Sequence, residues 1–375
     1  MHIQMVDTKT QFLAIKDEIY RGFEEVFESA AYINGKQVKE FAQNLKEFTG
    51  AKYTIPCANG TDAIQIALMA LGLQPGDEVI VPTWTYVATA EVIALLHLKP
   101  IFVDACPKSF NIDVTKIEAN ITPKTKAIVP VHLYGQTCDM EAIMNIASKH
   151  NLYVVEDTAQ AIGSMYTFSD GTQKMAGTIG HIGTTSFYPS KNLGAYGDGG
   201  AIFTNEAHLA KQLDAICNHG QLNEKYYHDI VGCNSRLDTL QAVILNAKIK
   251  RLKAYEEARV KVADAYDAAF EHQQGLIIPF RSSNSSHVFH QYTLRVMDGK
   301  RDALKYYLQE NGIPSMIYYP LPLHFQKAYS QNLKPSMDLS VSEMLANEVI
   351  SLPIHTEMDE AQLNYITEAV LSFFK

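Results

Sequence analysis

Cysteine and tryptophan are scarce in this sequence, with five and one among 375 residues. The cysteines are odd in number and form no CxxC pair, which excludes a disulfide framework and a structural zinc site. The 13 histidines are scattered. His287 and His290 lie close in sequence, but no cluster of cysteines or acids accompanies them. We therefore expect a reduced protein without a metal centre.

An excess of positive charge is also missing. Lysine and arginine number 32 against 41 acidic residues, a net charge of -9. Nucleic-acid binding needs a basic field, so this balance argues against it. No apolar run reaches the length of a membrane span, and the start, MHIQMVDTKTQ, lacks the basic and apolar regions of a signal peptide. The sequence predicts a cytoplasmic protein that binds neither nucleic acid nor membrane.

What the chain does contain is an alternation of short apolar segments and amphipathic segments. Strands that are apolar on both faces and separated by helices are typical of a parallel sheet covered on two sides. Strands are predicted at 53–58, 78–81, 100–104, 127–131 and 153–156. Helices are predicted at 11–31, 38–49, 61–71, 87–98, 139–150 and 206–218, the fifth capped by Asp139. Residues 1–250 therefore predict a large α/β domain with a mostly parallel central sheet.

The pattern of predicted helices and strands changes in the last third of the sequence. After Asn234, Ser235 and Arg236, a long helical pattern runs towards residue 272 and predicts a connector between domains. Beyond 275, strands are predicted at 290–296 and 315–319, and helices at 301–311, 341–350 and 359–373. We expect residues 251–375, including the connecting helix, to form a small α+β domain packed on the first.

One lysine stands in a constrained stretch, SFYPSKNLGAYGDGGA, from Ser186 to Ala201. The pattern predicts a strand, a loop that carries Lys191, a tight glycine-rich turn and a second strand. Partial burial lowers the pKa of a lysine, and a neutral amine can attack a carbonyl to form a Schiff base. The alternative is an ordinary solvated loop lysine, so the interpretation depends on partners elsewhere in the chain.

Three further features supply such partners. Asn59, Gly60, Thr61 and Asp62 open a helix directly after a strand, where backbone N–H groups bind phosphate, although most such turns are only helix starts. Asp157 ends a strand, where ligands bind in open α/β sheets; it is either a partner for a protonated pyridine nitrogen or a helix cap or buried ion pair.

Trp84 lies just after a strand, in PTWTY. It either stacks on a flat ring or is a core tryptophan. Along the chain come a phosphate turn, an aromatic residue, a strand-end aspartate and then a lysine. This order fits pyridoxal phosphate (PLP) in a large domain like that of aspartate aminotransferase.

Four motifs make this interpretation specific: ANGTDA, EDTAQA, SFYPSKNLGAYGDGGA and GCNSRLDTLQA. In this order, and over residues 5 to 370, the chain resembles the DegT/DnrJ/EryC1/StrS family of sugar aminotransferases. The resemblance implies that Lys191 forms the Schiff base with PLP and shuttles the proton. It further implies that Asp157 holds the pyridinium nitrogen, that Gln160 bonds the phenolic oxygen, and that Trp84 is the stacking aromatic.

The same resemblance implies how phosphate and partner subunit are arranged. Thr61 and Ser186 bind the phosphate, with Gly60 and Asp62 beside them. Asn234 of the NSR motif reaches the phosphate of the neighbouring subunit's cofactor, and Arg236 lies near the neighbour's substrate. Such sharing requires a homodimer. For Asn234, Ser235 and Arg236 a helix cap leading into the connector is the alternative.

The segment YYPLPLH, from Tyr318 to His324, resembles the part near the sugar in enzymes that aminate carbon 3. We therefore expect Tyr318 and His324 to contact the sugar, and the reaction to move an amino group from L-glutamate to a 3-keto sugar linked to UDP or dTDP. Similar enzymes that act on a sugar acid have a histidine where Tyr318 stands, which puts a carboxylate at carbon 5 in doubt. The open alternatives are a 4-keto sugar aminotransferase, a PLP-dependent sugar dehydratase, which Lys191 argues against, and an idle cofactor-binding regulator.

Overall fold

The computed structural model describes residues 2–330 and 338–375. Within them the α-helices are α1 (Thr8–Ser29), α2 (Lys36–Thr49), α3 (Gly60–Ala70), α4 (Ala88–Leu95), α5 (Met140–His150), α6 (Ala207–Cys217), α7 (Thr239–Ile249), α8 (Leu252–Phe270), α9 (Arg301–Glu310), α10 (Ser340–Glu348) and α11 (Glu360–Phe373). The strands are β1 (Tyr53–Cys57), β2 (Glu78–Pro82), β3 (Lys99–Val103), β4 (Thr125–Ile128), β5 (Tyr153–Asp157), β6 (Met165–Thr167), β7 (Gln173–Met175), β8 (Ile182–Ser186), β9 (Gly200–Thr204), β10 (Leu276–Ile277), β11 (Tyr292–Val296) and β12 (Val349–Leu352). No helix in the described ranges has both the length and the apolar character needed to cross a membrane.

Seven strands form the central sheet in the order β1-β9-β8-β5-β4-β2-β3. The strands β8, β5, β4, β2 and β3 are parallel to one another, whereas β9 is antiparallel to both of its neighbours, β8 and β1. Consequently β1 runs in the same direction as the other five, and only β9 is reversed. The predicted mostly parallel α/β sheet is confirmed, and six carboxyl ends lie at one edge.

Both faces of this sheet are covered by helices. In β2, Val79 and Val81 pack into a cluster with residues of α3, α4 and α6, whereas Ile80 packs with residues of α5 on the opposite face. All three side chains are fully buried. Burial of such a side chain stabilises the fold by about 1.5–3 kcal/mol. Because successive residues of a strand face opposite ways, continuous apolar strands are what a doubly covered sheet requires.

A second core lies in the C-terminal part of the chain. There α8, α9 and α11 pack around the antiparallel sheet β10-β11-β12, with Tyr266, Phe270 and Tyr292 at the centre. Ile3 belongs to the same cluster, and the Ile354 N–H donates to the Met5 carbonyl at 3.4 Å. The first residues of the chain therefore pack on the C-terminal core, although the sequence assigns them to the large domain.

Three details of the predicted elements are wrong. The helical pattern after Arg236 is two helices. Helix α7 ends at Ile249 and α8 begins at Leu252, with the Arg251 N–H closing a tight turn on the Lys248 carbonyl at 2.9 Å. The strand at 315–319 is absent, and only Met316 pairs, with Ser351 of β12. The helix predicted at 341–350 ends at residue 348, and its last apolar residues begin β12 instead.

Candidate active site

Lys191 lies in the loop between β8 and β9, at the carboxyl edge of the sheet. The loop is held by backbone hydrogen bonds, including Lys191 N–H to the Tyr188 carbonyl at 2.8 Å and Ala195 N–H to the Phe187 carbonyl at 2.8 Å. Burial lowers the pKa of the Lys191 ammonium to about 8, and the negative charge of Asp157 opposes part of that shift. The loop thus presents an amine that is available as a nucleophile near neutral pH.

Asp157 is the last residue of β5 and is buried. Its Oδ1 accepts the Ala159 N–H at 3.0 Å, and its Oδ2 accepts the Thr89 hydroxyl at 3.0 Å. These two donors, one in the first turn of α4 and one in the turn after β5, fix the plane of this carboxylate. It is therefore an oriented negative charge at the carboxyl edge, close enough to Lys191 to act on its amine.

The neighbouring acid, Glu156, has a different role because adjacent strand residues face opposite ways. Its carboxylate accepts three backbone N–H groups, from Gly177 at 2.9 Å, Ile179 at 2.7 Å and Gly180 at 2.6 Å. It also bonds His132 Nε2 at 2.9 Å, whose Nδ1 accepts the Cys138 N–H. Glu156 therefore ties buried loops together, and only the second of the two acids faces the site.

A cradle for an anion forms where β1, β8 and β9 meet. Asn59 caps α3, since its Oδ1 accepts the Asp62 N–H at 2.8 Å, and the first turn of a helix leaves backbone N–H groups free. A methyl group built on Gly60 would lie 2.6 Å from Ser186 Cβ, and one on Gly200 would lie 2.4 Å from the Asn59 carbonyl. The close approach explains both glycines, and it places the Ser186 hydroxyl beside the helix start.

Thr61 and Asp62 follow in the first turn and are both half-buried. The Asp62 N–H is already used by Asn59, and its carboxylate acts on the buried thiols of Cys57 and Cys217, whose pKa values are raised chiefly by burial. Like charges repel, so a carboxylate is a poor phosphate ligand. Gly60, Thr61 and Asp62 thus lie in the first turn of α3, with Ser186 against Gly60.

Gln160 and three tyrosines line the opposite side of the site. Gln160 Oε1 accepts the Tyr134 N–H at 2.8 Å, and its Nε2 donates to the Tyr319 hydroxyl oxygen at 3.2 Å. The Tyr134 hydroxyl donates to the Tyr318 carbonyl. Burial raises the pKa of Tyr319 above its ordinary value, with Asp157 adding to the shift. The network brings Gln160 and the YYPLPLH segment to the carboxylate, which sequence spacing alone does not show.

Two residues for which ligand contacts are predicted, Trp84 and His324, are buried. Trp84 is 1% exposed and packs in a core cluster with Phe110, Val131 and Leu133. His324 is also 1% exposed, with Nδ1 at 2.7 Å from the Thr83 hydroxyl and Nε2 at 3.3 Å from Glu343 Oε1. Both rings pack between the end of β2 and α10, and the Trp84 ring also lies edge-on to that of Tyr319, with centroids 6.2 Å apart.

Tyr86 is the exposed aromatic residue of the PTWTY turn. It is 58% exposed, and its ring centroid lies 6.3 Å from that of Tyr319. For a turn between a strand and a helix, the sequence alone does not predict which of two aromatic residues, two positions apart, is exposed. Tyr86, Thr89, Tyr134 and Tyr319 are the site residues that the sequence did not single out, and of these only Tyr319 carried a signal, as a member of YYPLPLH.

The NSR motif lies beside the turn between β1 and α3. Asn234 is exposed, and Ser235 accepts the Ala58 N–H at 3.1 Å, just before the helix cap. Arg236 Nε is buried without a hydrogen-bond partner in the described part of the chain. Asn34 and Arg236 both line a cavity of about 500 Å³. The motif thus presents polar groups at the surface of the subunit.

These residues fit PLP by their chemistry. An amine of lowered pKa, an oriented carboxylate, a side-chain amide and a glycine-lined helix start correspond to its aldehyde, ring nitrogen, phenolic oxygen and phosphate. Among residues 2–330 and 338–375 no group of side chains is arranged to hold a metal ion. An enzyme that holds a cofactor in this way, on a sheet of this topology, is of the PLP-dependent aminotransferase class.

Residues 13–371 match the model of the DegT/DnrJ/EryC1/StrS aminotransferase family. The chain therefore belongs to this family and is a PLP-dependent aminotransferase. Over its whole length it matches a structure of a DegT DnrJ EryC1 StrS aminotransferase from Brucella abortus, with 39% identity, full coverage of both chains and a TM-score of 0.94. A Bacillus subtilis structure with bound cofactor PMP, the amino form, covers 96% of this chain and 81% of that chain at 33% identity and a TM-score of 0.88.

Curated relatives match over almost the full length. The chain is 46% identical to the UDP-2-acetamido-2-deoxy-3-oxo-D-glucuronate aminotransferase of Pseudomonas aeruginosa, over 98% of this chain and 99% of that protein. It is 43% identical to the UDP-N-acetyl-3-dehydro-alpha-D-glucosamine 3-aminotransferase of Acidithiobacillus ferrooxidans, over 98% and 97%. It is also 45% identical to a protein of Geobacillus stearothermophilus named a pleiotropic regulatory protein, over 100% and 99%.

Proposed function

We propose that this enzyme moves an amino group from L-glutamate to the 3-ketone of a nucleotide-linked sugar, in cytoplasmic amino-sugar biosynthesis for surface polysaccharide, lipopolysaccharide or a glycoside. The observation that carries the proposal is the placement of Lys191 and Asp157 at one sheet edge, beside an anion cradle. Two relatives at 43% and 46% identity are named as aminotransferases of 3-oxo or 3-dehydro UDP-sugars. The five free cysteines agree with a reducing compartment.

The cofactor, when bound, supplies a carbonyl that takes up the amino group and a ring that takes up electrons. Lys191 Nζ would hold the cofactor between turnovers and would carry the proton to and from the reacting carbon. Asp157 would keep a proton on the ring nitrogen through its own negative charge. Gln160 Nε2, which donates to the Tyr319 hydroxyl oxygen, would be available as a donor to the phenolic oxygen.

Tyr86 is the aromatic residue that we propose to cover the ring, in place of Trp84. Its exposure leaves one face of the side chain free, and its neighbour Tyr319 bonds Gln160. Trp84 instead packs within a buried core cluster.

Tyr318 is the residue that we propose to select the group at carbon 5. It is half-buried, and burial raises the pKa of its phenol, with Tyr188 adding to the shift, so it remains a neutral hydroxyl at pH 7. A neutral hydroxyl suits a hydroxymethyl or methyl substituent better than a carboxylate. We therefore favour 3-keto-N-acetylglucosamine or a 3-keto-6-deoxyhexose, linked to UDP or dTDP, over a sugar acid.

A homodimer with shared sites completes the proposal. Two observations support this: Asn234 is exposed beside the phosphate turn, and Arg236 Nε is buried without a hydrogen-bond partner among the described residues. We propose that Asn234 reaches the partner's phosphate and that Arg236 approaches the partner's substrate.

The test is a panel of four substrates, each with L-glutamate: the 3-keto forms of N-acetylglucosamine, a 6-deoxyhexose and a uronic acid, and a 4-keto-6-deoxyhexose. We expect turnover of the first two and a new amine at carbon 3, located by NMR. Lys191→Ala is the matched control, and it should fold, lose the imine absorbance and show no turnover. Turnover of the 4-keto sugar alone would overturn the carbon-3 assignment, whereas preference for the uronic acid would overturn only the role of Tyr318.

A further inference from the structure

A buried lysine of α7 bonds the loop that carries Lys191. The side chain of Lys248 is 1% exposed, and its Nζ donates to the Gly194 carbonyl at 2.7 Å. The same Nζ lies 4.2 Å from the centroid of the Tyr196 ring, a distance at which an ammonium is attracted to an aromatic face. One amine thus contacts two residues of the loop, three and five positions after Lys191.

The Gly194 carbonyl lies at the base of this loop. A methyl group built on Gly194 would lie 2.4 Å from the Pro189 carbonyl, so the chain returns on itself there. The Ala195 N–H donates to the Phe187 carbonyl at 2.8 Å and closes the same base. Lys191 therefore belongs to a short closed loop, and the direction of its side chain depends on how the base of the loop is held.

A second side chain of α7 contacts the same loop. Gln241 Oε1 accepts the Tyr196 N–H at 2.9 Å, and Gln241 Nε2 would lie 2.8 Å from a methyl group built on Gly197. Gln241 and Lys248 are seven residues apart, so they lie on one face of the helix. Two points of attachment on one face fix both the position and the tilt of the second half of the loop.

Helix α7 is itself fixed on both sides. Asn246 Nδ2 donates to the Gln37 carbonyl at 2.9 Å, and Asn246 Oδ1 accepts from Asn44 Nδ2 at 2.9 Å, so α7 is bonded to α2. Ile244 and Ala247 pack against α1. A helix held in this way provides a rigid support for the loop.

The amine of Lys248 is not needed to fill the core. Burial alone lowers its pKa to about 7, because within the described ranges no charged group offsets the loss of solvation. Its neighbours Ala247 and Ile249 are apolar and buried. A methionine would fill the space without the cost of burying an amine. The contribution that methionine lacks is the hydrogen bond to the loop.

We propose that Lys248 is a positioning residue for the reaction, which holds the loop through the Gly194 carbonyl in the shape that presents the Lys191 amine to the cofactor aldehyde. The inference rests on the proposed role of Lys191. Its effect falls on the rate at which Lys191 reacts, because a reacting atom misplaced by about 1 Å can lose roughly a hundredfold in rate.

Imine formation by the cofactor-free protein tests this role. PLP is added, absorbance gives the rate, and borohydride then reduces the C=N bond so that mass spectrometry locates the adduct. Lys248→Met should slow adduct formation on Lys191 at least tenfold, with an unfolding temperature no lower than that of the wild type. Lys248→Arg keeps a donor and should react within about threefold of the wild type. Lys250→Met is the matched control, at an exposed lysine of the same helix end that pairs with Glu18 at 2.8 Å.

The pH profile of imine formation separates positioning from packing. A loop released from α7 exposes the Lys191 amine to water, so in Lys248→Met the midpoint should rise from about 8 towards the ordinary value of a lysine. Lys250→Met should leave the midpoint in place. Asp157 and His290, the ionisable groups whose charges interact with Lys191, are the same in both variants.

Three results would overturn the proposal. Formation of the Lys191 adduct at the wild-type rate in Lys248→Met would overturn the positioning role and leave the role of Lys191 standing. An adduct on a different lysine of the wild type would overturn the role of Lys191 and this proposal with it. Equal slowing in the methionine and arginine variants, with a lower unfolding temperature in both, would mean that Lys248 acts only by filling the core.

Discussion

Gly60 and Ser186 touch across the phosphate cradle so closely that a methyl group on the glycine would lie 2.6 Å from the serine Cβ. Gly60→Ala should therefore lower stability by about 1–3 kcal/mol, the usual effect of overpacking. It should also weaken cofactor binding at least tenfold, because the helix start shifts away from the phosphate. Thermal unfolding of the cofactor-free protein and titration with PLP measure the two effects.

The second-site variant Gly60→Ala with Ser186→Gly separates packing from ligand binding. Removing the serine Cβ relieves the contact, so most of the lost stability should return. Cofactor affinity should stay low, because the hydroxyl is gone. If stability does not recover, the close approach in the structure is not the cause of the loss.

The pKa of Lys191 makes a prediction about pH. Burial lowers that pKa to about 8, so the amine is about one-tenth neutral at pH 7 and mostly neutral at pH 9. The rate at which cofactor-free protein forms its imine with added PLP should rise through pH 8 and level off above it. Stopped-flow absorbance measures the rate, with Lys191→Ala as the blank. A midpoint near 10.5 would show an ordinary solvated lysine.

Asp157→Asn should move that midpoint further down. The carboxylate raises the pKa of Lys191 against the effect of burial, and its removal leaves the burial effect unopposed. Thr89 can accept from the new amide as readily as it donates to the carboxylate, so the fold should persist. The activation free energy of turnover should rise by several kcal/mol, which is in the range of other electrostatic effects in catalysis. A midpoint that moves upward, or turnover within threefold of the wild type, would contradict the placement of this charge.

Tyr86 and Trp84 should give opposite results. Tyr86→Ala should weaken PLP binding by about two- to thirteenfold, since stacking contributes about 0.5–1.5 kcal/mol, with little change in the unfolding temperature. Trp84→Phe should lower the unfolding temperature and leave the affinity nearly unchanged. Tyr306→Ala, at an exposed tyrosine of α9, is the control. The reverse pattern would return the stacking role to Trp84.

A mixture of two inactive chains tests the shared site. In a mixed dimer of Lys191→Ala and Asn234→Asp, one site holds both defects and the other holds neither. Random exchange should give about a quarter of wild-type activity. Asn234→Asp alone should be inactive, because a carboxylate repels the partner's phosphate. Absence of recovery after exchange, verified by mass, would mean that each subunit builds its own site.

The parallel part of the central sheet could be predicted from sequence because strands such as β2 are short, apolar on both faces and followed by a helix. The positions of Lys191 and Asp157 at the carboxyl edge followed from the same pattern. The directions of side chains within irregular segments could not be predicted from this pattern. Trp84 and Tyr86 share one turn, and only packing against Phe110 and Val131 decides which ring is buried. The residues after Glu348 were apolar enough to continue α10, and their pairing with β11 depends on a strand more than fifty positions earlier.

The pairing of β1 with β9 joins Tyr53 to Thr204, about 150 positions apart along the chain. Gly60, Ser186 and Gly200 come together only when that long loop has closed and the reversed strand is in place. Contacts of such high sequence separation form slowly and late. The unfolded chain therefore offers PLP no partial site, and the cofactor binds the finished sheet alone. The free energy of PLP binding is then added in full to the free energy of unfolding, so saturating cofactor stabilises the whole sheet against unfolding.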